Sequence, residues 1–494
     1  MARSVTDSVL GLFLLAAPAS AITGWWTWTP GALTPHFAFQ DPASGDLLHS
    51  ACNSNGTPIF PTDEPHRFNL TVRARAASPI AVTGWYDDDL ETTYATVFYQ
   101  STDGNLMNGD FTCNWETGDY DIVDEGAYSV SDDAGAASVH EKSGLAVVEL
   151  GDFGGPRLYY HDKDARVNLI AYDDDTDWRY LGPVSMMEVV GMELAAVQTE
   201  GSNVSVVFPH DDSNLAVAQF YEKNKNKWSL SSVPTPFKSP VPTNKTKAAN
   251  IALDYSGSEP FNLKSFDATT VHLGIASDPD HVLSIFYIGT DKRLREITQS
   301  DGEWRIAQGS EDQDWPKADD EAAPLAVISP TGEEDVWIFY QSGDEVIQLQ
   351  KKNGGWLEAT TVPTEGDNGG SSKDDGSSND SSDTSEEKDT GGSSSSDGAT
   401  NNDETSNDGG AGLTTGAKAG IGVGVAAGVL LGGAALFMFV RRKKAASPEE
   451  KAPAYQPAEL AEPTQELPVG NDYRFELTGD TPTSGPEYRP VGIR

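Results

Sequence analysis

Along residues 22–363 one arrangement of apolar and polar positions returns repeatedly. An alternating stretch ends in two aromatic or apolar residues, a polar turn follows, a second stretch runs back, and a tryptophan comes after it. Ala95-Thr96-Val97-Phe98-Tyr99-Gln100 leads through Thr102-Asp103-Gly104-Asn105 to Trp115, and Arg157-Leu158-Tyr159-Tyr160-His161 through Asp162-Lys163-Asp164 to Trp178. Val204 to Phe208 leads to Trp228, Leu283 to Tyr287 leads to Trp304, and Val336 to Gln341 leads to Trp356. A weaker first copy, Phe37-Ala38-Phe39-Gln40, lacks the tryptophan. Alternation with a period of two is the signature of a half-buried strand. The spacing from strand end to tryptophan is 16, 18, 20, 17 and 16 residues. At about 3.3 Å per residue that holds a turn, a second strand, another turn and the start of a third. An apolar lead-in, such as Leu145-Ala146-Val147-Val148 or Leu325-Ala326-Val327-Ile328, adds one more strand to each copy. Six copies of four strands, at a period of about 60 residues, predict an all-β, six-bladed β-propeller. A β-sandwich also uses short alternating strands, but it does not require one phrase to recur.

Two other apolar runs have a different character. Ala419 to Val440 is an uncharged run of 22 residues followed by Arg441-Arg442-Lys443-Lys444. As a helix it reaches about 33 Å, enough to cross a hydrocarbon core of about 30 Å, and the basic cluster marks the cytoplasmic side. At the other end Val9 to Ala17 is too short to span, and with Arg3 before it and Ala19-Ser20-Ala21 after it the segment reads as a secretory signal peptide. The expected organisation is a signal peptide (1–21), the propeller (22–363), a stalk (364–415), a transmembrane helix (416–440) and a cytoplasmic tail (441–494). This predicts a type I single-pass protein of the plasma membrane or cell surface. Gly420, Gly424, Gly428 and Gly432 recur at every fourth position of the span, a small-residue ridge that predicts a homodimer.

Composition sharpens this picture. The formal charge is −42, which excludes nucleic acid as a partner. Much of the acid lies between Glu365 and Leu413, a Ser-, Gly- and Asp-rich stretch with only Lys373 and Lys388 to oppose it. Such a segment buries too little apolar surface to offset its conformational entropy, so the stalk is expected to be disordered, as is the Pro-rich tail. Cys52 and Cys113 are the chain's only cysteines, and outside the cell they are expected to pair. Asn55, Asn69, Asn203, Asn244 and Asn379 each open an N-x-S/T glycosylation sequon.

The phrases FYQSTDGNL…W, LYYHDKDARVNL…W and IFYIGTDKRLRE…W resemble the repeat of fungal fucose-specific lectins, which are six-bladed propellers. The resemblance covers Phe37 to Trp356. It implies sites built from an arginine opening the Tyr-Tyr strand, a glutamate twelve residues on, and surrounding aromatic rings. Such a set suits a deoxysugar: the charged pair holds hydroxyls and the rings take the apolar face. In this chain no copy keeps both charged members. Arg157 faces Leu169 in the pattern, and Glu296 faces Ser284; the other pairs are His36 and His49, Thr96 and Asn108, Ser205 and Val217, and Trp337 and Gln348. The best-preserved candidate carbohydrate-binding sets are Glu296 with Tyr287 and Trp304, and Arg157 with Tyr160 and Trp178.

Other chemistry finds little support. No H-E-x-x-H, phosphate loop or G-x-S-x-G elbow occurs, and Ser300-Asp301-Gly302-Glu303-Trp304 reads as a plain turn. Asp87-Asp88-Asp89 and Asp173-Asp174-Asp175 lack the fixed ligand spacing of a calcium loop. No catalytic residue, metal or cofactor is predicted. Two functions remain: a cell-surface, single-pass carbohydrate-binding protein with degenerate sugar sites and a glycan ligand, or a cell-surface sensor or adhesion protein using the propeller as a protein-interaction platform. The layout also resembles fungal cell-wall stress sensors.

Overall fold

A computed structural model describes residues 21–364, apart from 30–31, 124–125, 225–226, 258–260, 301, 308–312 and 344. The expected signal peptide up to residue 20, the stalk beyond residue 364, the spanning run with its glycine ridge, the tail and Asn379 lie outside the described residues. Among the described residues no helix is long and apolar enough to cross a membrane.

The described residues form six antiparallel sheets, each a meander of consecutive strands. Blade 1 is β1 (Ile22–Thr29), β2 (Ala32–Gln40) and β3 (Leu47–His49). Blade 2 is β4 (Ile80–Asp87), β5 (Thr92–Gln100), β6 (Leu106–Cys113) and β7 (Tyr120–Ile122), with β8 (Tyr128–Ser129) added on β6 ahead of a single helical turn, α1 (Val130–Asp133). Blade 3 is β9 (Leu145–Glu149), β10 (Pro156–His161), β11 (Val167–Ala171) and β12 (Arg179–Pro183). Blade 4 is β13 (Ala195–Glu200), β14 (Asn203–Pro209), β15 (Leu215–Tyr221) and β16 (Lys227–Val233). Blade 5 is β17 (Leu273–Ser277), β18 (Leu283–Ile288), β19 (Leu294–Ser300) and β20 (Glu303–Ile306). Blade 6 is β21 (Ala326–Ile328), β22 (Val336–Ser342), β23 (Glu345–Lys352) and β24 (Gly355–Trp356), with β25 (Thr360–Thr361) back on β23. The repeat read from the sequence is thus a blade, and its aromatic strand is the second strand of each sheet.

Strand alternation explains how blades become a ring. Each second strand sends one set of side chains to the preceding blade and the other to the next, so the core divides into six apolar seams. Tyr99, Val97 and Phe111 pack with Trp25 and Phe68 in the seam between blades 1 and 2, while Phe98 and Leu106 pack with Leu158, Tyr160 and Trp178 in the next. The last seam, with Phe37, Phe39 and Phe60 against Ile328, Trp337 and Phe339, closes the circle from blade 6 to blade 1. The inner strands crowd the axis closely enough to require glycine. A Cβ on Gly24 of β1 would meet the Ile328 side chain at 2.6 Å, and one on Gly274 of β17 would meet the Val327 side chain at 2.1 Å.

One expectation is corrected here and one is met. Trp115 is not the repeat tryptophan of blade 2: it lies in the β6–β7 turn and is 38% exposed. Tyr120, fully buried against Trp25 and Phe68, fills that place. Cys52 and Cys113 form a disulfide with a Cα–Cα separation of 5.6 Å. Cys52 sits in a turn after β3, so the bridge ties a blade 1 loop to the end of β6.

Candidate functional site

Register places the twelve-residue pairs side by side. Phe286 pairs with Glu296, and Ser284 with Thr298, so Ser284 and Glu296 share one face of blade 5. The same offset joins Thr96 to Asn108 in blade 2 and Arg157 to Leu169 in blade 3. In every blade this face looks toward the next blade. The fourth-strand aromatic looks the other way, into the preceding seam: Trp178 lies with blade 2 side chains, Trp228 with blade 3, and Trp304 with blade 4. A charged member therefore meets the tryptophan of the following blade, not that of its own.

That rule splits both sets expected from sequence. Glu296 and Tyr287 are on opposite faces, since Tyr287 pairs with Arg295 and packs with Trp304 in the seam between blades 4 and 5. There the Tyr287 hydroxyl donates to the Lys264 carbonyl at 3.0 Å. A shallow pocket opens there, lined by Phe261, Leu263, Tyr287 and Ile306 among others; Glu296 borders it, but its carboxylate points away. Arg157 is likewise separated from Tyr160 and Trp178, which belong to the seam between blades 2 and 3. Its Nη1 donates to the carbonyls of Tyr172 at 2.7 Å, Gly155 at 3.0 Å and Pro156 at 3.3 Å, tying the β9–β10 turn to the end of β11. Tyr160 donates its hydroxyl to the Ala137 carbonyl at 3.0 Å. These are structural uses.

What gathers around Glu296 comes from blade 6. The carboxylate is 5% exposed. It accepts from the Ser284 hydroxyl at 3.3 Å and from Trp356 Nε1 at 3.3 Å, and Lys351 Nζ lies 3.8 Å from Oε1. Ser284 also bonds Thr298 at 3.1 Å. Lys351 sits 6.0 Å from the centre of the Trp356 ring, which packs edge-on against Phe286 and Trp315. The cation that the pattern lacks at Ser284 thus arrives from β23 of the neighbouring blade. Sequence reasoning missed Lys351 and assigned Trp356 only to the repeat; both lie more than fifty positions from Glu296, and local spacing gives no signal for them.

The seam between blades 1 and 2 takes a third form. His36 and His49 are fully buried; His36 stacks on Trp25 at 5.4 Å, and His49 stacks on His66 at 5.6 Å, while His66 Nδ1 reaches Asp119 Oδ1 at 2.6 Å. Burial, reinforced by His49, lowers the His36 pKa to about 3; burial lowers that of His49 to about 4. Both are neutral at physiological pH. The acidic triplets form turns: Asp87 Oδ1 accepts from the N–H of Asp89 and Leu90, and Asp173 Oδ1 from that of Asp175.

No family model matches this chain, and no curated protein matches it. Solved structures do. The fucose-specific lectin from Aleuria aurantia superposes with 15% identity and a TM-score of 0.45 over 70% of this chain and 96% of its own. AofleA from Arthrobotrys oligospora gives 12% and 0.45 over 69% and 86%. The BP39L lectin from Burkholderia pseudomallei gives 11% and 0.42 over 70% and 99%.

Proposed function

We propose that this chain is a carbohydrate-binding protein whose best-equipped site is the cleft between blades 5 and 6. The observation that carries the reading is the meeting of Glu296, Ser284 and Trp356 with Lys351 across the seam. A carboxylate and an ammonium hold vicinal hydroxyls through charge-assisted hydrogen bonds, and a half-buried indole takes the C–H face of a pyranose. The residue pattern of fucose-specific lectins agrees with this chemistry, with the cation moved from one blade to the next. Binding rather than catalysis fits the cleft, because glycoside hydrolysis uses two carboxyl groups flanking one bond, and the partners of Glu296 are an ammonium, a hydroxyl and an indole. A glycan array with the purified chain tests the reading. Glu296→Gln and Lys351→Ala are each expected to lower the affinity for the best glycan at least tenfold, whereas Arg157→Lys leaves it unchanged. Retained affinity in both of the first two variants overturns the assignment.

The same proposal includes how the site is displayed. The apolar run 419–440 with its basic flank and the amino-terminal leader support a type I single-pass protein, holding the propeller outside the cell on residues 364–415. Self-association through Gly424 and Gly428 would pair two propellers and raise avidity for a polyvalent surface. Crosslinking in membranes tests this: Gly424→Leu with Gly428→Leu is expected to abolish the dimer, and an unchanged dimer yield rejects the ridge.

A further inference from the structure

The cleft between blades 2 and 3 repeats the architecture of the Glu296 cleft with different chemistry. Thr96 Oγ1 donates to Asp110 Oδ1 at 2.8 Å, and Asn108 Nδ2 donates to Asp110 Oδ2 at 3.1 Å and to the Tyr128 hydroxyl at 3.0 Å. From the facing blade, Trp178 Nε1 donates to the same Tyr128 oxygen at 3.2 Å. These donors are all committed to oxygens of the cleft. Asn108 is 1% exposed, yet its Oδ1 accepts no hydrogen bond. An acceptor buried in that way costs about 1–3 kcal/mol, so the cleft is built for a donor that comes from outside.

Rings and carboxylates surround that acceptor. Tyr172 lies 5.4 Å from Trp178, and farther out Trp85, 39% exposed, stacks on Tyr94 at 5.2 Å with 10° between the planes. Burial, with Asp174, Asp177 and Asp110 acting on it, raises the Tyr172 pKa to about 12; burial and then Asp110 raise that of Tyr128 as well. Negative charge from two blades therefore converges on these aromatic rings. Asp110 accepts from the Thr96 hydroxyl and the Asn108 amide. Carboxylates, an open acceptor and electron-rich ring faces together attract a cation.

We propose that the cleft between blades 2 and 3 is a second binding site and that it takes an amino sugar with a free ammonium group. The inference rests on the carbohydrate-binding reading of the propeller. The ammonium donates to Asn108 Oδ1 and Asp110, and the sugar ring packs on Tyr172, half-buried beside Trp178. N-acetylation removes both the charge and two of the three N–H donors, so the acetylated sugar is excluded.

Calorimetric titration of the full-length chain with a glucosamine trimer, an N-acetylglucosamine trimer and trilysine at pH 6 tests this. The glucosamine trimer is expected to bind at least tenfold more tightly than either of the others, and to weaken as salt is raised. Asp110→Asn is expected to reduce that affinity at least tenfold. Tyr172→Ala, which removes the ring face, is expected to reduce it as well, so a folding defect in one variant leaves the other decisive. Equal binding of the acetylated trimer overturns the proposal. So does trilysine binding as tightly, which would make the site a reader of charge alone. Competition keeps the two clefts distinct: the glycan bound at Glu296 is expected not to displace the glucosamine trimer, and displacement overturns a separate site. Absence of any glycan at Glu296 would sink the first reading while leaving this titration interpretable.

Discussion

At the scale of single residues, the buried imidazoles make the strongest commitment. His36 Nε2 meets Thr27 Oγ1 at 3.0 Å and His49 Nδ1 donates to the Ser50 carbonyl at 2.9 Å, while His36 Nδ1 faces no partner. With folded pKa values of about 3 and about 4, against about 6.5 unfolded, the unfolded chain takes up protons first as pH falls. Their contribution is therefore complete above pH 6.5 and drains away between 6.5 and about 4 for His49 and about 3 for His36. Glu149 acts in the opposite sense. Burial raises its pKa to about 7, so it disfavours the folded state as pH rises from 4.5 through 7. We expect the melting temperature of His49→Gln to depend less on pH between 6.5 and 4 than that of the parent chain, and Glu149→Gln to be the more stable protein at pH 8 but not at pH 4. Parallel melting curves for all three across that range would contradict the assignment.

At the scale of elements, inner strands and one crosslink hold the ring. Gly274 of β17 leaves no room for a Cβ beside Val327 of β21. Gly274→Ala is expected to lower stability by about 1–3 kcal/mol in denaturant unfolding, the usual cost of overpacking a dense core. Gly302, at φ +78° in the β19–β20 turn with open space around it, serves as the comparison: its backbone conformation, not packing, is what alanine would strain. The disulfide spans 61 positions and joins blades 1 and 2. Cys52→Ser with Cys113→Ser is expected to lose up to about 4 kcal/mol in the chain-entropy account. An unfolding midpoint that does not move on reduction would show that the ring closes without it.

At the scale of the whole molecule, the fold sorts the glycosylation sequons. Asn55 and Asn69 are exposed on the loops of blade 1. Asn203 Oδ1 accepts from the Glu222 N–H at 3.0 Å, and Asn244 Nδ2 donates to the Pro183 carbonyl at 3.2 Å, so both amides are engaged in holding the outer edge of blades 3 and 4. Expressed with its leader in a eukaryotic secretory host, the chain is expected to carry glycans at Asn55 and Asn69 and to be largely unmodified at Asn203 and Asn244, as read by peptide mass spectrometry. High occupancy at Asn244 would mean that modification precedes folding of that loop.

The sequence by itself determined the strands, the repeat, the six-fold count and the pairing of the two cysteines, because a period of two and a recurring turn are local properties that each blade displays alone. It also placed Ser284 and Glu296 together, since their offset is set by one hairpin. It joined Glu296 to Trp304, eight positions on, whereas the tryptophan that binds it is Trp356, sixty positions away. The same step misjoined Arg157 to Trp178. Alternation tells which side chains share a face of a strand but not which neighbour that face will meet. Ring closure alone decides that, by turning the forward face of each blade onto the returning fourth strand of the next, and so the tertiary structure supplied Lys351 to Glu296 and Trp178 to Tyr128.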